Sequence, residues 1–162
     1  MIEFDKANLN IIRAALKERE ETIAVAESVT GGLLQAAFAL TEEASLFFQG
    51  GITVYNLAQK YHHLQVEPVH ALKVNCVSSR VADEMALNVC RLFNSHWGLS
   101  VTGYSSPVPE SNNEIFAYFS IAGKGAIQHS AKITPPKNTP ENLHLLYVNE
   151  IIQRAAMLII AG

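Results

Sequence analysis

Only two cysteines, Cys76 and Cys90, occur among the 162 residues, and neither has a C-x-x-C partner. That is too few for a disulfide framework, and the chain reads as reduced and cytoplasmic. Charge is also sparse: charged residues make up 17%, twelve Lys and Arg stand against fifteen Asp and Glu, and the net charge is -3. The basic residues are scattered, so a nucleic-acid surface, which needs a basic stripe, has no support. No run approaches the ~18–20 apolar residues of a membrane span, and the acidic amino terminus has no apolar signal core. The apolar tail 155–161 is short and reads as a buried helix end. Six histidines invite a metal reading. His62 and His63 are adjacent, however, and would point about 100° apart on a helix. No His pair at i, i+4 with a partnering acid occurs, so neither a metal nor a cofactor is expected.

What is present is apolar and evenly distributed. Hydrophobic residues make up 49% of the chain. With no repeat or linker, residues 1–162 read as one domain able to bury a single core. Asp5 to Arg19 reads as a helix with Leu9, Ile12 and Leu16 on one face. Ile23 to Ala26 reads as a buried strand, Leu33 to Leu40 as a buried helix, Phe48 to Tyr55 as a strand and Leu57 to Leu64 as a short helix. Ser78 or Ser79 caps an amphipathic helix with Val81, Met85, Val89 and Leu92 at helical spacing. Leu99 to Val101 is a short strand. Glu114 to Ala122 and Gln128 to Ile133 form a pair of strands joined at Gly123-Lys124-Gly125. Residues 134–138 make a turn, and Thr139-Pro140-Glu141 starts a last helix that runs to about Ile160. Helices and strands alternate and a strand pair follows, which predicts a three-layer α/β/α domain with a mixed sheet.

The segment richest in chemistry is Ala26-Glu27-Ser28-Val29-Thr30-Gly31-Gly32. It joins a strand to a helix through two hydroxyls and two glycines. Unpaired N–H groups at the helix start favour an anion beside those hydroxyls. Ser28 or Thr30 can equally serve as a helix N-cap, with Gly31 and Gly32 easing the turn and Glu27 favouring the dipole. Ser45 is a further polar residue, with turn formation its plainer role. Thr102-Gly103 ends a strand in α/β context, where ligand crevices open. Tyr55 and Lys60 read by themselves as a strand aromatic and a solvated helix charge.

The ordered set AES-x-TGG, Ala44-Ser45, GG-x-x-x-YN-x-x-x-K (Gly50 to Lys60), Cys76-Val77-Ser78 and Val101-Thr102-Gly103 resembles the CinA carboxy-terminal domain family. The active members of that family are nicotinamide mononucleotide deamidases. The resemblance runs from about Ile23 to Gly123, with a weaker helical continuation, and it looks like the stand-alone form. It implies Ser28 as nucleophile and Tyr55 and Lys60 as proton-handling groups. Glu27, Thr30, Gly31, Gly32, Ser45, Thr102 and Gly103 become ligand-binding candidates. It further implies a small-molecule ligand, either a pyridine nucleotide or a related carboxamide, and a homodimer.

Departures from the family pattern fall in its nucleotide-gripping parts. The TG-x-AGPGG loop becomes Thr102-Gly103-Tyr104-Ser105-Ser106-Pro107-Val108-Pro109, which replaces glycines and removes backbone donors. Ile115 falls where a glycine is expected, as if to close off ligand space. Leu145 and Asn149 stand at the two arginine positions of the GDR-x-x-VR run, and Arg154 lies about a turn and a half beyond. Two expectations follow: a carboxamide hydrolase acting through Ser28, or a non-catalytic relative that has lost the nucleotide site.

Overall fold

The structure, a computed structural model, describes residues 1–137 and 142–162. The helix start expected at Thr139-Pro140-Glu141 lies outside the described residues, as does Asn138. Five strands form one sheet in the order β2-β1-β3-β4-β5. They are β1 Ile23–Glu27, β2 Phe48–Thr53, β3 Trp97–Gly103, β4 Ala117–Gly123 and β5 Ala126–Ile133. β1 pairs in parallel with β2 and β3, while β4 and β5 run antiparallel, so the sheet is mixed as expected. Among the described residues the α-helices are α1 Lys6–Arg19, α2 Leu33–Ala39, α3 Leu57–Leu64, α4 Pro68–Lys73, α5 Ser79–Phe93 and α6 Leu143–Ala161.

Period-two alternation along β1 sorts the core into two layers. Ile23 and Val25 point to one face, where they join Leu9, Ile12 and Leu16 of α1, Phe38 of α2 and Ile151 of α6. Ala24 and Ala26 point to the other, against Leu64 of α3, Ala71 of α4 and Val81, Met85 and Val89 of α5. α2 therefore lies on one side of the sheet and α3 to α5 on the other. That divergence opens a crevice beyond the carboxyl ends of β1, β2 and β3.

Several boundaries differ from the sequence expectation. β2 stops at Thr53, which releases Tyr55 from the sheet, and β3 starts two residues early at Trp97. β4 begins at Ala117 instead of Glu114, and β5 reaches back to Ala126 because Lys124 and Gly125 both take positive φ (54° and 77°) in a tight hairpin turn. α4 was not anticipated, although Glu67-Pro68 is a readable helix start: the Glu67 carboxylate accepts the N–H groups of Val69 and His70. Leu92 of α5 is 51% exposed and lies off the apolar face, which continues from Val89 to the partly buried Phe93. Ile115 packs against the core of the α1/α6 face. At 19 residues with a mean hydropathy of 1.3, α6 is long and apolar enough to cross a membrane, contrary to the sequence estimate. Here it lies on the sheet, burying Tyr147, Val148, Ile151, Ile152, Ala155 and Ile159.

Candidate functional site

Beyond the strand ends lies a cleft of about 340 Å³ lined by Ser28, Tyr55, Lys60, Cys76, Thr102, Gly103 and Tyr104, among others. The chain reaches it from β1 through a turn in which the Ser28 N–H donates to Val101 O (3.2 Å) and the Gly31 N–H to Ser28 O (3.0 Å). Gly31 and Gly32 then take φ of +59° and +106°, values an L side chain rarely adopts. Ser28 is 5% exposed, and its hydroxyl donates to Val101 O over a long 3.4 Å.

Of the two readings open to Glu27, the structure places it at the start of α2, where it favours the helix dipole. Alternation along β1 places its carboxylate on the α2 side, where it is fully buried. There it accepts the Thr30 hydroxyl at 2.6 Å and the N–H groups of Leu34 and Gln35 at 3.0 and 2.8 Å. The N-cap position itself is Gly32, with no side-chain bond, so neither Ser28 nor Thr30 caps the helix. Glu27 thus supplies the anion that the helix start favours. Glu27 and Thr30 spend their polar atoms on each other and on α2, not on the cleft.

Lys60 sits on the buried face of α3, one turn before Leu64, and is 2% exposed. Its Nζ donates to Val54 O at 3.0 Å. Burial pulls its pKa down to about 8, and Cys76 pushes it partly back up. Burial in turn raises the Cys76 thiol, with Lys60 opposing. Asn56 fixes the helix in place by accepting the Gln59 N–H at 3.1 Å. Tyr55, one residue earlier, is 70% exposed at the cleft mouth and is not the core aromatic its local sequence suggests.

The remaining candidates divide. The Thr102 hydroxyl donates to Cys76 O (2.7 Å), tying β3 to the turn after α4. Gly103 is needed for close approach, because a Cβ there would lie 2.5 Å from the Ala117 Cβ. Thr30, Gly31 and Gly32 border a second hollow with Val29, Tyr55, Asn142 and His144, on the far side of the Val29–Tyr55 ridge. Ser45 is exposed in the 3-10 turn Ala44–Leu46, ahead of β2 and at the opposite end of the sheet, so it does not meet the others. His62 and His63 stack edge to face with ring centroids 4.7 Å apart. Among the described residues no group of three His, Cys, Asp or Glu gathers as a metal site.

Sequence reasoning missed the roles of Asn75, Cys76 and Tyr104. Asn75 and Cys76 adopt left-handed φ (50° and 62°), which turns them into the cleft. Asn75 Nδ2 donates to the Tyr104 hydroxyl at 3.2 Å, and Tyr104 O accepts the Tyr147 hydroxyl at 2.9 Å. Tyr104 therefore links the cleft rim to both faces of the sheet. Asn149, which the resemblance sets at an arginine position, ties down the amino-terminal segment: it accepts the Asp5 N–H (2.9 Å) and donates to Glu3 O (3.1 Å). Arg154 pairs with Glu150 at 3.4 Å and lines a separate groove beside β5.

A three-layer α/β domain with a hydroxyl- and lysine-lined cleft at its parallel strand ends is thereby defined. Solved structures share this fold. A competence-damaged protein (CinA) superfamily protein of Klebsiella pneumoniae superposes with a TM-score of 0.89 at 20% identity, over 99% of this chain and 100% of that one. A superfamily protein of Escherichia coli gives 0.84 at 22% identity, over 99% and 94%. The chain belongs to the CinA C-terminal domain family, which matches residues 5–147. A CinA-like protein of Prochlorococcus marinus is 40% identical over 111 residues, covering 68% of this chain and 26% of that protein. One of a Cyanothece species is 34% identical over 122 residues, covering 74% and 29%. The chain thus spans little more than a quarter of the length of these curated relatives.

Proposed function

We propose that the chain is an amidohydrolase of the nicotinamide mononucleotide deamidase type, with Ser28 as nucleophile. The observation that carries this reading is Lys60, buried to 2% exposure in the cleft it shares with Ser28 and pulled to a pKa of about 8. A lysine so placed holds a usable neutral fraction near physiological pH, the condition for a base beside a serine. Lys60 Nζ accepts the Ser28 proton as Oγ attacks the carboxamide carbon. It returns that proton to the leaving ammonia, and the acyl-serine ester remains. Water then hydrolyses the ester, giving the carboxylate and restoring the serine, so water is the only co-substrate. Tyr55, exposed at the mouth, is the second proton-handling group. Ser28 and Lys60 are now bound to Val101 O and Val54 O, so the reactive arrangement requires one of them to turn on substrate binding. Two free cysteines support a reducing cytoplasm as the site of action, and the reading includes a homodimer. Ammonia release from nicotinamide mononucleotide, followed beside Ser28→Ala and Lys60→Met, tests it. Turnover lost in both variants supports it, and turnover untouched by either ends it.

A second reading, a non-catalytic binding module, has its own observation. Asn149, at a family arginine position, holds the amino-terminal segment. No ammonia from well-folded protein would favour this reading.

A further inference from the structure

Tyr104 stands between two hollows. The cleft and a neighbouring hollow of about 490 Å³ share Leu72, Asn75, Val77 and Tyr104 as lining residues. From these the cleft continues to Ser28 and Lys60, and the neighbouring hollow to Lys73, Glu110 and Phe116. At the partition the Asn75 side-chain amide donates to the Tyr104 hydroxyl at 3.2 Å, joining the turn after α4 to the loop after β3. The Tyr104 ring also meets Phe116 edge to face, with centroids 5.3 Å apart. Its backbone is anchored separately: the N–H donates to Phe116 O at 2.9 Å, and the carbonyl accepts the Tyr147 hydroxyl at 2.9 Å. The ring can therefore be removed while the main-chain bonds that hold this segment stay in place. The Asn75–Tyr104 bond is exposed, so it pins the ring by about 1 kcal/mol at most. Position 104 is the unspecified x of the TG-x-AGPGG pattern, so its residue is free to set what this particular cleft accepts.

Resting on the carboxamide-hydrolase reading above, we infer that Tyr104, pinned by Asn75, is a specificity-determining residue. It closes the cleft against the neighbouring hollow and confines the substrate to a carboxamide carried on a single nucleotide. The cleft, at about 340 Å³, lies at the small end of the roughly 300–1,000 Å³ range of ligand sites. A nucleotide whose phosphate bears a second nucleoside has to reach beyond it, and the tyrosine ring blocks that path. With the ring gone the two hollows join. Lys73 there offers a cation to a pyrophosphate, and Glu110 an acceptor to sugar hydroxyls.

Two measurements test it. In the first, kcat/KM for ammonia release is compared for nicotinamide mononucleotide and nicotinamide adenine dinucleotide, using wild type, Tyr104→Phe and Tyr104→Ala. The dinucleotide-to-mononucleotide ratio should rise about tenfold or more in Tyr104→Ala, and by less in Tyr104→Phe, which keeps the ring and loses its tie to Asn75. A ratio unchanged in Tyr104→Ala overturns the inference, and so does a wild-type protein that hydrolyses both compounds equally well. The second measurement needs no substrate. Cys76 follows Asn75 and lines the cleft, so its alkylation by N-ethylmaleimide and by the bulky fluorescein maleimide is followed at the Cys76 peptide. The ratio of the two rates cancels the ionisation of the thiol itself. The bulky-to-small ratio should rise several-fold in Tyr104→Ala, and an unchanged ratio overturns the inference whatever the kinetics. No ammonia from either compound with any of the three proteins sinks the hydrolase reading, and the partition then stands or falls by the alkylation ratio alone.

Discussion

Lys60 Nζ donates to Val54 O at 3.0 Å, a bond that closes the first turn of α3 back onto the segment leaving β2. With burial holding the pKa at about 8, Lys60 is mostly protonated at neutral pH and loses its proton just above. If Lys60 is the base, kcat/KM rises with pH through about 8 and then levels. Lys60→Arg keeps the charge at all accessible pH values, and the rising limb disappears along with the activity. A pH–rate profile of both proteins checks this.

Lys60 also makes a stability prediction of the same sign. Its folded pKa of about 8 lies below the ordinary lysine value of 10.5, so between these values the unfolded chain binds more protons. Stability then rises with pH across that window, and below about pH 8 the fold carries the charged-lysine cost, on the order of 3 kcal/mol. Lys60→Met removes that cost but leaves Val54 O short of a donor, worth about 1 kcal/mol. The variant is expected to be inactive yet about 1–2 kcal/mol more stable at pH 7, with the gap narrowing between pH 8 and 10.5. Urea denaturation at three pH values reads the difference. A destabilised variant at pH 7 would mean Lys60 is structural.

Ser28→Ala removes a hydroxyl whose one hydrogen bond, to Val101 O, is 3.4 Å long. A loss of less than about 1 kcal/mol of stability is expected. Turnover should fall by about a thousandfold or more if the hydroxyl is the nucleophile. Thermal melts and ammonia assays on the same preparation separate the two effects.

The architecture was largely legible because hydrophobic periodicity reports it directly. Leu9, Ile12 and Leu16 line the buried side of α1 as their spacing requires, and the mixed sheet follows from the alternation of elements. The site was only half legible. Ser28, Thr102 and Gly103 could be placed from strand ends, whereas the burial of Lys60 depends on α3 meeting α5, a tertiary fact. A signal did exist: Leu57, Lys60 and Leu64 share one helical face. For Glu27 the favourable acid at a helix start was legible but its depth was not, because such an acid usually acts from solvent. Here strand alternation carries it to full burial beneath the helix. Ser45 looked polar and available, but five strand residues separate its end of the sheet from the cleft.

Glu27→Ala should be the most damaging single change near the site. It strips three buried or half-buried donors of their acceptor: the Thr30 hydroxyl and the N–H groups of Leu34 and Gln35. Each unsatisfied donor costs about 1 kcal/mol or more, so a loss of about 3 kcal/mol is expected, with fraying of the seven-residue α2. Chemical denaturation and amide exchange at Leu34 and Gln35 check it. Unchanged exchange would show that α2 does not depend on the carboxylate.

Tyr147 offers a test of whether the rim loop matters to binding. Its ring is fully buried, and its hydroxyl donates to Tyr104 O at 2.9 Å, while Tyr104 in turn meets Asn75 across the cleft. Burial raises the Tyr147 pKa well above that of a free tyrosine, so the donor stays protonated at any working pH. Tyr147→Phe keeps the ring and its packing against the core, deleting only the hydroxyl. The stability cost should be about 1 kcal/mol, since one buried carbonyl loses its donor. The cleft-wall residues Ser105 and Ser106 follow Tyr104 directly, so loosening its backbone disorders two hydroxyls that line the cleft. Ser28 and Lys60 hang on β1 and α3 and are untouched. KM should therefore rise about three- to tenfold while kcat holds within about twofold, which is how lost ground-state binding reads in kinetics. A fall in kcat with KM unchanged would instead place the Tyr104 loop in the transition state and transfer a catalytic duty to it.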